Sequence, residues 1–549
     1  MDKSILIGGQ AGQGNTVTSY FIGEVFSSAG FYVFNYRDYP SLIRGGHNFN
    51  VVRVSDRPIY SHTNEYDIII ALDQKTINLH EKNLKKNGLI LGPKGLKSKK
   101  KFHPIDIASF LTKFKTPPVM GNNILIGWLF KYLGVDKKFL LKEVKERFGG
   151  KKFNLIKKAI TEGHRQAPEK EKFKNKKRQK YFISGSKATG IGALAAGVDI
   201  YIAYPMTPAT PVLHYLAKKE LTRDILVLQL ENEIAVVNAA LGASFAGAQT
   251  MVGTSGGGFA LMNEALSLAG ISELPLVVYL AQRTGPATGV PTYTAQSDLK
   301  FAVNAGHGEF PKVVVAPGDP QEVIIRTQEA FYLSSKYRTL SIILSDKHLA
   351  ESDYTFDKLG KSSLKSEKFI VREPTLNYKS YQITANGISP RAVPGQGPIV
   401  RATSYEHNEY GNTIEDASWT VRMNNKRLTK AKYLSQEVNK LKPATVYGRG
   451  KNLIIGWGST KGAIIDSLSK LKTFRFLQVS YIKPFPKNLV SREIKKSNKI
   501  ILVENNATGL LGDIIAEQTG HIIKNKVLKY DARPFVIQDI VSSIKRIKE

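Results

Sequence analysis

Short apolar runs recur along this chain, each followed by a Gly- or Pro-rich stretch and then by a longer segment of helical periodicity. Ile5-Leu6-Ile7-Gly8-Gly9 leads through a Gly-rich turn into a helix predicted from Thr16 to Gly30. Tyr32-Val33-Phe34, Val51-Val52-Arg53-Val54 and Ile68-Ile69-Ile70-Ala71-Leu72 continue as strands, so residues 1–165 read as a self-sufficient α/β unit. Residues 166–180 read as a basic linker, since His164 to Lys180 hold Pro168, eight Lys or Arg and few apolar residues. Residues 181–352 resume the alternation, with strands expected near Ile200–Tyr204, Ile225–Leu228, Thr250–Gly253, Leu276–Leu280, Lys312–Ala316 and Ser341–Leu344. Residues 353–448 are rich in Tyr, Ser, Pro and Gly and read as an extended excursion. Residues 449–549 return to strands at Leu453–Gly458, Arg475–Val479 and Lys499–Glu504, a third and smaller α/β domain.

At 549 residues, with 42% hydrophobic and 23% charged content, the chain has the composition of a multidomain globular protein. It opens Met1-Asp2-Lys3-Ser4 with no basic and apolar leader, and no apolar run is long enough to span a bilayer, so a cytoplasmic location without membrane contact is expected. The absence of cysteine excludes disulfides, cysteine nucleophiles and an iron-sulfur cluster held by this chain's own thiolates. A formal charge of +33 favours anionic partners such as phosphorylated cofactors or acidic proteins, or reflects solvated lysines spread over the surface. The aromatic and basic signatures of nucleic-acid modules are missing, so no nucleic-acid partner is expected.

Three strand ends carry the candidate chemistry. Ile202-Ala203-Tyr204-Pro205-Met206-Thr207-Pro208 ends a strand in a Pro-punctuated loop, and Val252-Gly253-Thr254-Ser255-Gly256-Gly257-Gly258-Phe259 ends another in a Gly-rich loop. Between them, Glu231-Asn232-Glu233 stands at the mouth of a helix of small residues. A carboxylate there can hydrogen-bond the aminopyrimidine of thiamine diphosphate, with Glu233 first choice and Glu231 the reserve, because Ile234, Ala235 and Val236 would dry the site around Glu233. The same two acids also suit a helix N-terminus for its dipole alone. Arg283 follows a strand and precedes the Gly- and Pro-rich run Thr284 to Thr292. Its fork suits a carboxylate, with the Thr207 hydroxyl a further donor, or it is a surface arginine. Gly8-Gly9-Gln10-Ala11-Gly12-Gln13-Gly14 could offer backbone N–H groups to a phosphate, with Gly9, Gly12 and Gly14 as the loop, or serve only a tight turn. Its spacing is neither the dinucleotide fingerprint nor a P-loop.

Taken in order, Tyr204-Pro205-Met206-Thr207-Pro208, Glu231-Asn232-Glu233, Thr254 to Phe259, Gln282 to Gly289 and Gly306-His307-Gly308-Glu309-Phe310-Pro311 resemble the alpha subunit of 2-oxoacid:ferredoxin oxidoreductases. The resemblance runs on through Leu344-Ser345-Asp346, Gly387 to Arg391, Glu406 to Gly411 and Val503 to Asn506. Gly8 to Gly14 and Arg44-Gly45-Gly46 look like the gamma subunit, making the chain a gamma-alpha fusion. The resemblance implies a gamma-type α/β domain, a pyrimidine-type thiamine diphosphate-binding α/β domain and a transketolase C-terminal-like α/β domain. It implies coenzyme A-dependent oxidative decarboxylation of a 2-oxoacid, 2-oxoglutarate favoured and pyruvate or broad specificity open, with ferredoxin as acceptor.

Carried onto this chain, Glu233 contacts the aminopyrimidine, Tyr204, Pro205, Gly256 and Gly258 border the cofactor, and Thr207, Arg283 and Thr292 line the substrate pocket. The diphosphate site, its Mg²⁺ and a [4Fe–4S] cluster fall to a separate beta subunit, in a hetero-oligomer, and no metal to this chain. Two positions depart from the family pattern: Gly257, usually Pro, and Leu510, usually Gln. The rival expectation is a non-catalytic scaffold that docks acidic partners. An indolepyruvate oxidoreductase is disfavoured, because that relative carries its thiamine domains and cysteines in one chain.

Overall fold

The computed structural model describes residues 2–41, 46–170, 173 and 179–547. Two compact units emerge. The first comprises residues 1–184, 351–359 and 536–540, and the second the rest of the chain. Arg44 and Gly45 of the expected Arg-Gly-Gly motif, and residues 171–172 and 174–178 of the expected linker, lie outside the described residues.

The first unit is built on an eight-stranded sheet, in the order Phe102–Ile105, Leu84–Pro93, Tyr66–Ala71, Asp2–Gln10, His47–Ser55, Tyr32–Asp38, Asp353–Phe356, Tyr181–Ser184. The last two were expected elsewhere, one opening the second domain and one inside the excursion. Both instead complete this sheet by antiparallel pairing. Periodicity cannot show such an exchange, because four-residue strands carry no sign of their partner. Phe173, in the expected linker, is buried beside Phe26 and Phe31, so an apolar residue in that basic stretch belongs to the core. Gly8 and Gly9 lie inside the strand Asp2–Gln10. The turn proper is Ala11 to Gly14, where Gly12 (φ 90°) and Gly14 (φ 84°) adopt the left-handed backbone that favours glycine, and Gly14 caps the helix Asn15–Ser28.

The second unit holds a seven-stranded sheet in the order Tyr481–Lys483, Lys312–Val315, Leu340–Asp346, Leu276–Gln282, Thr250–Thr254, Ile200–Ala203, Leu226–Gln229. Every pairing is parallel except that of the edge strand Tyr481–Lys483. These strands are apolar on both faces, as Leu276–Gln282 shows by being buried throughout, because helices cover both sides. A five-stranded sheet follows in the order Ala444–Tyr447, Phe474–Val479, Asn452–Gly456, Ile500–Glu504, Asn525–Leu528. Its Leu453, Ile455, Trp457 and Leu502 share one buried apolar cluster with Val252, Leu280 and Leu344 of the larger sheet.

The excursion contains a 24-residue helix, Ala417–Lys440. Its apolar positions are sparse because it buries cations. Lys426 bonds the Glu273 carboxylate, and Lys430 Nζ lies 3.1 Å from the same group. Arg338 donates to Glu273 O (3.2 Å), Ser380 O (2.8 Å) and Pro390 O (3.3 Å), and Arg391 donates to Ser244 O (2.6 Å). Gly387 (φ 73°) lets the chain pass against Lys426, since a β-carbon there would strike the Lys426 carbonyl. The excursion is therefore stapled to the α/β body through buried charge.

Burial alone would raise the Glu273 carboxyl, but Lys426, Lys430 and Arg338 more than reverse this and hold it well below the ordinary range. Glu273→Gln leaves two buried ammonium groups uncompensated and is expected to cost about 3–5 kcal/mol at neutral pH. The folded chain binds this proton more weakly than the unfolded one. The stabilisation is therefore complete above the ordinary value of 4.5 and is lost as pH falls below it. Denaturant titrations of both proteins across that range check this, and a gap that does not narrow in acid contradicts it.

Candidate functional site

Ile200–Ala203, Leu226–Gln229 and Thr250–Thr254 are parallel neighbours, so the loops after them leave one edge of the sheet together. The carboxyl edge of an open parallel sheet is where ligands bind. Asn232 caps the helix Glu233–Phe245 through its side-chain oxygen, which accepts from Ala235 N (2.9 Å). Glu233 is freed from capping and is turned inward, only 3% exposed, while Glu231 stays in solvent. Val236 and Val237 are fully buried behind it, but Ile234 is half exposed. Ile234 was expected to help dry the site; one residue from Glu233 it is rotated about 100° round the helix and faces solvent, and the drying comes from the two valines three and four residues on, which share the Glu233 face.

Gly256 to Gly258, expected to form a loop, are instead the first turn of the helix Gly256–Ile271. The turn faces two carboxylates. A β-carbon at Gly258 would collide with Glu233 Oε1 and Thr254 Oγ1, and one at Gly256 would stand 2.6 Å from Asp298 Oδ2. Glycine is needed at both positions for close approach rather than for an unusual backbone angle. Gly257 points to open space, so the departure from Pro there relieves no contact. Glu233 Oε1, Ser255 Oγ and Thr292 Oγ1 are all buried without a hydrogen-bond partner among the described residues. Buried polar atoms are nearly always satisfied, so three orphans on loops at this edge mark a place where a ligand completes the bonding.

Arg283 follows the strand Leu276–Gln282 and is half-buried, its Nη1 donating to Thr207 O (2.8 Å). The backbone of Thr207 thus positions the guanidinium, and no ion pair engages it among the described residues. The run after it closes on itself, with Val290 N bonded to Thr284 O (3.0 Å) and Thr284 N to Tyr293 O (3.2 Å), which folds Thr292 back towards Arg283. Burial lowers the Arg283 affinity for its proton, while the Asp298 and Glu233 carboxylates raise it. Tyr204 is 38% exposed and Pro205 half-buried, so this face of the site opens to solvent.

Asp298 and Gln296 escape a reading by motif, and Gln282, which opens the Gln282 to Gly289 motif, holds Asp298. Gln282 Oε1 accepts from Asp298 N (2.9 Å) while its Nε2 donates to Ser345 O (3.0 Å). Gln296, wholly buried, donates to Trp457 O (2.9 Å) and accepts from Asn505 N (2.9 Å) and Asn506 Nδ2 (3.0 Å). Glu504 accepts from Trp457 Nε1 (3.0 Å), Asn506 Nδ2 (2.7 Å) and the backbone N–H groups of Leu511 and Gly512. The five-stranded sheet thereby braces the Arg283 loop from behind. Leu510, the second departure from the family pattern, packs against the shared apolar core.

Residues 191–426 match the family model described as "Pyruvate flavodoxin/ferredoxin oxidoreductase, thiamine diP-bdg", and residues 4–166 match "Pyruvate ferredoxin/flavodoxin oxidoreductase". The 2-oxoacid:ferredoxin oxidoreductase subunit alpha of Sulfolobus sp is 33% identical over all of this chain and 98% of that protein. The chain belongs to the 2-oxoacid:ferredoxin oxidoreductase family, as an alpha-type subunit. The 2-oxoglutarate synthase subunit KorA of Archaeoglobus fulgidus is 30% identical over 61% of this chain and 89% of its own length. Among solved structures, 2-oxoglutarate:ferredoxin oxidoreductase from Magnetococcus marinus, with 2-oxoglutarate, coenzyme A and succinyl-CoA bound, superposes with a TM-score of 0.89 at 28% identity, covering 99% of both chains. The α/β architecture and the oxidoreductase class read from sequence are those of this family. No helix among the described residues is long and apolar enough to cross a membrane.

Burial pushes the Asp298 carboxyl up to about 6, although Arg283 pulls it down. A raised carboxyl costs folding stability once pH exceeds its ordinary value of 3.8, and the cost is complete above about 6. Asp298→Asn is therefore expected to melt higher than the parent at neutral pH, with the difference gone by about pH 4. Melting curves across that range decide it; an equal gap at both ends sinks the assignment.

Proposed function

We propose that this chain forms the aminopyrimidine side of a thiamine diphosphate site completed by a beta subunit, and that the assembled enzyme oxidatively decarboxylates 2-oxoglutarate with coenzyme A and ferredoxin. The observation that carries this is Glu233 Oε1, buried without a partner against the glycine-first helix Gly256–Ile271. The site suits the group: a carboxylate for a ring nitrogen, glycines that admit a flat ring beside it, and an open face at Tyr204 and Pro205. Bound thiamine diphosphate supplies the carbon nucleophile and electron sink that decarboxylation of a 2-oxoacid needs.

Glu233 would hold or share a proton with the aminopyrimidine, and its desolvation strengthens that bond. Arg283, with donors to spare beyond Thr207 O, would hold the 2-oxoacid carboxylate. Thr292 Oγ1 would donate to the same substrate, and Thr207 would act by its hydroxyl as well as by aiming Arg283. The N–H groups at Gly256 and Gly258 border the cofactor. We assign Mg²⁺, the diphosphate and the [4Fe–4S] cluster to the beta partner, since a chain without cysteine offers the cluster no thiolate.

In the first unit, Gly12 and Gly14 would present N–H groups to a coenzyme A phosphate, whereas Gly9 sits within a strand. An apolar cavity of about 490 Å³, lined by Gly12, Leu72, Leu111 and Val119, adjoins that turn. 2-Oxoglutarate is favoured by the Magnetococcus marinus structure; the Sulfolobus relative is called a 2-oxoacid enzyme without restriction, which makes pyruvate the competing substrate.

Co-expression with a beta subunit and anaerobic assay of coenzyme A-dependent viologen reduction tests the whole reading, with 2-oxoglutarate expected to be used better than pyruvate. Glu233→Gln is expected to lower turnover at least about 100-fold while the complex still assembles; full activity in the variant overturns its role. Arg283→Met is expected to raise the KM for the 2-oxoacid about 10- to 100-fold with cofactor retained, and an unchanged KM removes the carboxylate assignment.

A further inference from the structure

Gly306-His307-Gly308-Glu309-Phe310-Pro311 takes no part in the site above. It precedes the strand Lys312–Val315 and so lies at the amino edge of the seven-stranded sheet, opposite the edge that carries Glu233. The neighbouring strand Tyr481–Lys483 runs antiparallel, with Val314 opposite Lys483, and this reversal brings Lys483 to the same edge as Lys312. Both lysines line a cavity of about 530 Å³ with Asn304, Gly306, Phe310 and Asn424. That volume lies within the range of small-molecule sites.

Lys312 is only 4% exposed, with Nζ bonded to the Ala305 carbonyl and 4.0 Å from the Phe310 ring centroid. Lys483 Nζ donates to Val303 O at 3.3 Å. The Val303 carbonyl ends the short helix Leu299–Val303 and Ala305 follows its cap, so the two ammonium groups hold the segment that leaves that helix. One carbonyl uses one of the three donors on each ammonium. Among the described residues neither lysine has a carboxylate within ion-pair distance. Arg427, also on the cavity wall, is already engaged by Glu406 at 2.6 Å; Glu309 lines the cavity too, but it is exposed and ion-pairs with neither lysine among the described residues, and His307 is exposed. Burial and the facing Lys483 push Lys312 down to about 8; burial lowers Lys483 too, opposed only by Glu517. Two partly desolvated cations facing one cavity repel each other, and a bound anion is what would turn that repulsion into attraction.

We propose that this cavity is a binding site for a small oxyanion-bearing metabolite, phosphate or carboxylate, gripped between Lys312 and Lys483. Phe310 and the glycines beside it form the wall against which the rest of the ligand lies. The site lies at the edge of the sheet opposite Glu233, so its occupant is distinct from the substrate proposed for Arg283.

Titration of the full-length chain with pyrophosphate and, separately, citrate in low-salt buffer tests this by calorimetry and thermal shift. Saturable binding of either is expected, and which of the two binds tells a phosphate ligand from a carboxylate one. Lys312→Met with Lys483→Met should weaken it at least about tenfold. Lys483→Gln alone, at a half-buried position, gives the same direction should the double variant fail to fold. Lys470→Met with Lys472→Met removes the same charge from an exposed loop and should leave binding intact. Absence of saturable binding by both anions, or an equal loss in that control, overturns the proposal.

Discussion

A carboxylate oxygen, Glu233 Oε1, held out of water with no hydrogen-bond partner among the described residues is the constraint around which the site in the second unit is arranged. Leaving a buried oxygen such as Glu233 Oε1 without a hydrogen bond costs about 1–3 kcal/mol on general grounds. The first turn of the helix Gly256–Ile271 offsets part of this, since the positive end of a helix dipole favours a nearby carboxylate by about 0.3–1 kcal/mol, and up to about 2 when desolvated. Glycine at 258 is what allows the approach. A fold that carries this strain in its free state is poised to recover it when a ligand donates to the carboxylate.

Holding such a site requires stiffness behind it, and the five-stranded sheet provides it. Gln296 is bonded on both faces of its amide and through both backbone atoms to the ends of two strands, by way of Trp457, Asn505 and Asn506. Glu504 anchors those residues in turn, its carboxyl raised by burial in spite of the hydrogen bonds it accepts. The segment Val503 to Asn506 thus braces the Arg283 loop through Gln296.

Buried charge is used differently elsewhere. Around Glu273 it is compensated and holds the excursion to the body. Around Lys312 and Lys483, at the ends of two strands, no carboxylate compensates it among the described residues, whereas Lys426 and Lys430 in mid-helix share Glu273, and the contrast separates a structural staple from a receptive site.

The sequence by itself determined the α/β class, the positions of most strands and the identity of the strand-end loops, because apolar runs broken by Gly and Pro reflect burial and turn chemistry that are local. It also singled out Glu233 and Arg283, whose residue types are conspicuous beside small neighbours. Local pattern could not reveal that Tyr181–Ser184 and Asp353–Phe356 pair with the first sheet, since strand pairing is decided by distant residues. Nor could it show the helix Ala417–Lys440, whose inward face carries cations matched by distant acids, Lys426 by Glu273 153 residues before it and Arg427 by Glu406. Asp298 and Gln296 read as ordinary loop residues. Only the tertiary structure decides that one is pressed against Gly256 and the other buried between two sheets, because burial of a polar side chain depends on partners the chain brings from far away.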